Sequence, residues 1–124
     1  MKIELWADDA VSLEGRQREV VIRRIHFALA RFADRIARVN VRLTDENGPR
    51  GGIDHRCLVE VDLRPGPKLY VEAQGVDAEV SAAIASRRAA RRVRDELSRR
   101  RLFGRRQRTV RVTPPDGVPD VPGN

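Results

Sequence analysis

Residues 57 to 73 read CLVEVDLRPGPKLYVEA, and their alternation decides the fold. Cys57, Val59, Val61 and Leu63 recur at every second position, and Leu69, Val71 and Ala73 do the same after a break. A period of two places each apolar set on one face of an extended strand. The break itself, Arg64-Pro65-Gly66-Pro67, is dense in turn formers, so the two strands are joined by a turn. Upstream, Val39, Val41 and Leu43 supply a third alternating run, linked to the others through Asp45-Glu46-Asn47-Gly48-Pro49-Arg50-Gly51-Gly52. Three strands separated by two turn-rich segments predict an antiparallel meander.

Towards the N-terminus, Lys2 to Ala7 alternates with Ile3, Leu5 and Ala7 on one side, as a half-buried strand does. Ser12 is placed to cap a helix. From there Val21, Ile25, Ala28, Leu29, Phe32 and Ile36 follow the spacing of one helical face, which predicts an amphipathic helix over residues 14 to 34. Beyond the meander, Gly75 closes the last strand and Asp77 is placed as the N-cap of a second helix, over residues 78 to 102. Its apolar face is drawn through Ala78, Ala82, Ala85, Ala89, Val93 and Leu97, and a register through Val80, Ala83, Ile84 and Ala90 fits nearly as well. Gly104 is expected to end it, and the Pro- and Gly-rich stretch 104–124 to be a disordered tail after a folded domain at 1–103.

The fold class is thus α+β, in the order β-α-β-β-β-α. A right-handed crossover through the first helix lays the first strand parallel to the second, giving a four-stranded mixed sheet with two helices packed on one face. The opposite face is left to solvent. There Glu4, Trp6, Glu60, Asp62, Tyr70 and Glu72 predict a mostly acidic surface, so that the folded unit is expected to be electrically two-sided.

Charge is distributed unevenly along the 124 residues. Residues 87 to 111 hold twelve arginines against only Asp95 and Glu96, whereas residues 1 to 86 carry thirteen basic and fourteen acidic side chains. The net charge of +7 therefore arises in one block. Such a block favours a polyanionic partner, whether RNA, DNA or an anionic membrane surface. Of the 25 basic residues 23 are arginine, whose planar fork suits phosphate and base stacking better than an ammonium does. The N-terminus lacks a secretory pattern, and no stretch approaches the roughly 20 apolar residues of a membrane span, so a cytoplasmic protein without membrane association is expected. One cysteine excludes an internal disulfide and leaves too few thiols for a structural zinc cluster.

Helical spacing distributes the arginines. With Ile25 inward, Gln17, Arg24, Arg31 and Arg35 form a flanking stripe on the first helix. On the second, Arg88, Arg92 and Arg99 line one flank, Arg87, Arg94 and Arg101 the other, and Arg91 lies on top. Like charges at i, i+4, such as Arg87 with Arg91 and Arg88 with Arg92, cost a few tenths of a kcal/mol each. Two such helices side by side would make one basic plate whose counter-charge comes from a polyanion.

Other chemistry-bearing residues read as structural. His26, His55, Asp54 and Cys57 do not converge as three or four metal ligands would, and Cys57 alternates inward with Val59 and Val61 as a buried thiol. Asp45 and Glu46 sit in a turn-rich segment with no partner at fixed distance. Gly48, Arg50, Gly51 and Gly52 lack the Lys-Ser/Thr end of a phosphate loop. Trp6 and Tyr70 could stack bases, but their acidic neighbours favour packing or a partner contact. No catalytic residue, metal site or cofactor is expected.

Residues 31 to 57 taken whole, RFADRIARVNVRLTDENGPRGGIDHRC, strongly resemble the ribosome hibernation promoting factor family, the ribosome-associated inhibitors also called sigma-54 modulation proteins. The likeness extends to Ser12-Leu13-Glu14-Gly15 and to Gly75-x-Asp77, and covers residues 2 to 100. It implies a fold akin to a double-stranded-RNA-binding domain, with both helices facing small-subunit ribosomal RNA in the channel where messenger and transfer RNA sit. It also implies translation regulation in a stress response by occupancy, with no reaction. The family's basic positions in the second helix fall on Arg88 and Arg91, while Arg31 and Arg35 lie in the best-matched run. Glu79 and Ala82 depart from the family's aromatic and isoleucine. Long members add a dimerising domain; a monomer off the ribosome is expected here. The residues assigned to RNA are Arg24, Arg31, Arg35, Arg87, Arg88, Arg91, Arg92 and Arg99. The alternative is a general structured-RNA or DNA binder of the same fold acting off the ribosome.

Overall fold

The computed structural model describes residues 1–8, 11, 13–45 and 55–111, with side chains described as far as Arg101. The elements are β1 (Lys2–Ala7), α1 (Gly15–Leu29), a 3-10 helix (Ala30–Arg35), β2 (Ile36–Asp45), β3 (His55–Leu63), β4 (Lys68–Gly75) and α2 (Ala78–Arg111). The strands form one sheet in the order β1-β2-β3-β4. β1 runs parallel to β2, with Leu5 opposite Val41, and the other two pairings are antiparallel, as the meander requires. The four-stranded mixed sheet and two helices of the α+β class are therefore those expected.

Alternation builds the core. Leu5, Val39, Val41, Leu43, Cys57, Val59, Val61, Leu63, Leu69 and Ala73 are buried on one sheet face, against Val21, Ile25 and Leu29 of α1 and the apolar stripe of α2. Each large side chain so removed from water stabilises the fold by roughly 1.5–3 kcal/mol. The other sheet face is exposed at Trp6, Leu58 and Tyr70, so both helices share the buried one.

The first helix differs from its expected span. Its N-cap position is Glu14, whose side chain makes no capping hydrogen bond, and Ser12 lies outside the described residues. Gly15 opens the helix at φ +47°, in the left-handed region that glycine enters without steric cost. After Leu29 the chain tightens into 3-10 turns, a common ending for an α-helix. Ile36, read as the last helical contact, is instead the first residue of β2. Ile36 and Val39 are both buried although three residues apart, which a regular strand cannot arrange. A register shift between Ile36 and Arg38 resolves the conflict by inserting one extra residue.

Arg35, at the end of the 3-10 helix, ties this region to the β3–β4 turn. Its Nη2 donates to Pro65 O at 2.8 Å and its Nε to Arg64 O at 3.4 Å, while Arg64 N donates to Arg35 O at 2.9 Å.

Between β4 and α2 the backbone passes very close to itself. A Cβ on Gly75 would lie 2.7 Å from Ser81 N, so no larger residue fits without movement. Asp77 caps α2 as expected, its Oδ1 accepting from Val80 N at 2.8 Å. The register of α2 is the alanine face: Ala78, Ala82, Ala85, Ala89 and Val93 are buried, whereas Val80 is exposed. Ser81 and Ser86 are buried on the same side, with hydroxyls donating to Ala78 O and Ala82 O. α2 does not stop at Gly104 but runs to Arg111. A lone glycine costs a helix only about 1 kcal/mol against alanine, and the Arg and Gln residues that follow are good helix formers. Residues 112–124 of the expected tail lie outside the described residues. The chain divides into two units within α2, one of Met1–Val93 and a second beginning at Arg94.

Candidate nucleic-acid interface

With Val21, Ile25 and Leu29 inward, α1 turns Arg16, Arg23, Arg24 and Phe27 to solvent, and all four are exposed. Arg31 is exposed at the start of the 3-10 helix, its guanidinium 4.9 Å from the centre of the Phe32 ring. Among the described residues none of Arg16, Arg23, Arg24 or Arg31 forms an ion pair. Arg35 is different: it is half-buried and engaged with the β3–β4 turn.

In the first half of α2, Arg87, Arg88, Arg91 and Arg92 are all exposed. Arg88 Nη1 donates to Glu72 O on β4 at 2.6 Å, which places its flank of the helix along that outer strand and caps one of its carbonyls. Arg87, Arg91 and Arg92 have no ion pair among the described residues. The like-charge pairs at i, i+4 therefore stand uncompensated, as expected.

At the start of the second unit the charges of Arg94, Arg99 and Arg100 are matched within it. Arg99 donates to Glu96, a buried carboxylate that also lies 3.9 Å from Arg100, and Arg94 pairs with Asp95 at 3.1 Å. Arg99 is thus charge-matched in a way that Arg24, Arg31, Arg87, Arg91 and Arg92 are not. Arg23 and Phe27 were missed by the sequence reading, which followed the flank of α1; a wheel centred opposite Ile25 puts both on its crest.

The open sheet face is not acidic, which corrects the two-sided expectation. The outward register brings Arg38 and Arg42 of β2 and Arg56 of β3 in among Glu4, Glu60, Asp62 and Glu72, with Lys2 and Lys68 at its edges. Arg56 pairs with Glu72 at 3.0 Å, Lys68 with Glu60 at 3.5 Å and Lys2 with Glu4 at 3.8 Å. Five cations against four carboxylates make this face close to neutral. The acidic expectation counted the outward residues of β1, β3 and β4 but not the arginines at alternate positions of β2.

No group of three or more His, Cys, Asp or Glu able to hold a metal occurs among the described residues. Asp45 lies 3.8 Å from His55 across the β2–β3 ladder, while Glu46, Gly48, Arg50, Gly51, Gly52 and Asp54 lie outside the described residues. Burial pushes the Cys57 thiol up to about 12, so it stays protonated and is no nucleophile near neutral pH. Among the described residues no helix is long and apolar enough to cross a membrane.

Neither a protein-family model nor a curated protein matches the chain in sequence. Solved structures do match its fold. A ribosomal subunit interface protein from Coxiella burnetii superposes with a TM-score of 0.65 at 15% identity, over 79% of this chain and 99% of its own. The N-terminal domain of Protein Y from Thermus thermophilus superposes with a TM-score of 0.61 at 22% identity, over 75% of this chain and 96% of its own. The four-stranded mixed sheet with two helices, expected from the spacing of apolar residues and implied also by the resemblance of the run Arg31 to Cys57, is thus the fold that this chain shares with those two proteins.

Proposed function

We propose that the chain is a ribosome-associated hibernation factor. It binds small-subunit ribosomal RNA through its helical face and inhibits translation by occupying the space of messenger and transfer RNA. The observation that carries this reading is the set of exposed guanidinium groups without a carboxylate partner among the described residues: Arg24 on α1, Arg31 on the 3-10 helix, and Arg87, Arg91 and Arg92 on α2. Phosphates supply the missing counter-charge, and arginine forks take them bidentately. Arg88 keeps free donors after capping Glu72 and joins them; Arg35 and Arg99 act first as structural cations. The fold shared with a ribosomal subunit interface protein supports the choice of polyanion. The reading requires a cytoplasmic protein that blocks by occupancy and catalyses nothing.

Co-sedimentation with small ribosomal subunits at rising salt tests it. Neutralising 4 to 6 phosphates releases counter-ions, and the log-log slope of affinity against salt is then roughly −3 to −5. Absence of binding at low salt overturns the proposal. Excess duplex RNA separates it from a general nucleic-acid binder, because only the general binder is displaced.

A further inference from the structure

Phe27 is 85% exposed, the most exposed large apolar side chain on α1, on the helix face opposite the core. Its neighbours one helical turn away are Arg23, Arg24, Ala30 and Arg31, with no carboxylate among them. Val20, Arg23, Arg24 and Phe27 together line a shallow depression of about 330 Å³. An aromatic ring left in water forgoes the benefit of burial, and at this exposure Phe27 is scarcely packed against the described residues. Trp6 and Tyr70, the other exposed large aromatic side chains among the described residues, sit differently. They are on the open sheet face, where Glu4, Glu60 and Glu72 stand close by in the register. That face is close to neutral, its carboxylates being paired with Lys2, Lys68 and Arg56, so a phosphate-bearing partner is drawn to Phe27 instead.

We infer that Phe27 is a base-stacking residue: its ring receives one unpaired nucleobase of the bound RNA, while Arg23 and Arg24 hold the flanking phosphates. The inference rests on the RNA-binding reading above and deepens it by naming what the α1 crest recognises. A paired helix exposes only base edges in its grooves, whereas a looped-out or bulged nucleotide offers a free π-face. Base-aromatic stacking is worth roughly 1–3 kcal/mol per base, which corresponds to about 5- to 150-fold in affinity. The term is independent of salt, unlike the arginine contacts.

The test measures small-subunit affinity across a salt series for the full chain and three variants. Phe27→Ala and Phe27→Leu are expected to weaken binding about 5- to 150-fold with an unchanged salt slope, and Phe27→Trp to retain it. A benzophenone photo-crosslinker at position 27 is expected to attach to RNA at an unpaired nucleotide. Because the ring is solvent-exposed, circular dichroism of the variants should match the parent. Wild-type affinity in Phe27→Ala overturns the inference and leaves the arginine reading standing. Wild-type affinity in Phe27→Leu alone means a merely apolar contact, and crosslinks confined to ribosomal protein mean a protein partner; either result also overturns it. If the parent chain itself fails to bind small subunits at low salt, both readings fall.

Discussion

On the open face of the sheet, strands interleave opposite signs: Lys2 lies 3.8 Å from Glu4, Lys68 3.5 Å from Glu60 and Arg56 3.0 Å from Glu72. On α1, the 3-10 helix and the first half of α2, by contrast, Arg24, Arg31, Arg87, Arg91 and Arg92 face solvent without an ion pair among the described residues. Both surfaces are rich in arginine. Composition therefore does not separate them; the carboxylates Glu4, Glu60, Asp62 and Glu72 standing among the sheet-face cations, Arg38 and Arg42 included, do. A cation matched at home has its charge largely screened towards any ligand, whereas an unmatched one retains a field that draws an anion. Exposed pairs of the first kind contribute only about 0–1 kcal/mol each to stability, so the sheet face gains little beyond neutrality.

The sharpest way to break the contrast is to neutralise the helical face. Replacing Arg24, Arg91 and Arg92 together by glutamine removes three phosphate contacts, and the salt slope of small-subunit binding should fall by about 3. At low salt the affinity loss should be on the order of a hundredfold or more. A triple variant that keeps the parental slope would mean that these arginines are only a solvated surface. Arg35 then tests the line between the two classes. Arg35→Ala loses two side-chain bonds to turn carbonyls, so unfolding free energy should drop by about 1 kcal/mol in urea denaturation. The salt slope should stay within experimental error of the parent. A reversal of those two outcomes would move Arg35 into the binding set. The smallest effect belongs to the open face: Glu60→Lys breaks one exposed pair, changing stability by less than about 1 kcal/mol and small-subunit affinity by less than twofold.

Much of this was legible from residue spacing alone. The alternation of Cys57 to Leu63 and Leu69 to Ala73, with Asp77 as a cap, placed three elements correctly because burial and backbone hydrogen bonding both act locally there. The alanine face of α2 was legible too, although two registers competed; the buried hydroxyls of Ser81 and Ser86, satisfied by the helix's own carbonyls, helped the polar-looking face to be the inner one. Three features were not legible. The 3-10 ending of α1 leads into a bulge at Ile36–Arg38 that is set by pairing with β3, which helix propensity does not encode. The neutrality of the sheet face depends on which strand lies beside which. Arg35's partners lie far along the chain, so no local pattern distinguishes it from Arg31.

The parallel pairing of β1 with β2 also orders the folding reaction. β2, β3 and β4 pair with sequence neighbours and close short loops, whereas β1 reaches β2 only after the whole of α1 has been laid across the sheet. Contacts between distant residues carry the larger loop-closure entropy and form late. β1 is also an outer strand paired on one side only. It precedes the strands of the meander in the chain yet is expected to dock after they pair, and its amides should be among the first of the sheet to exchange with deuterated solvent under native conditions. Slow protection throughout β1, equal to that of β3, would contradict this order. On this expected order the fold is assembled from its meander outwards, with β1 as the latch that closes it.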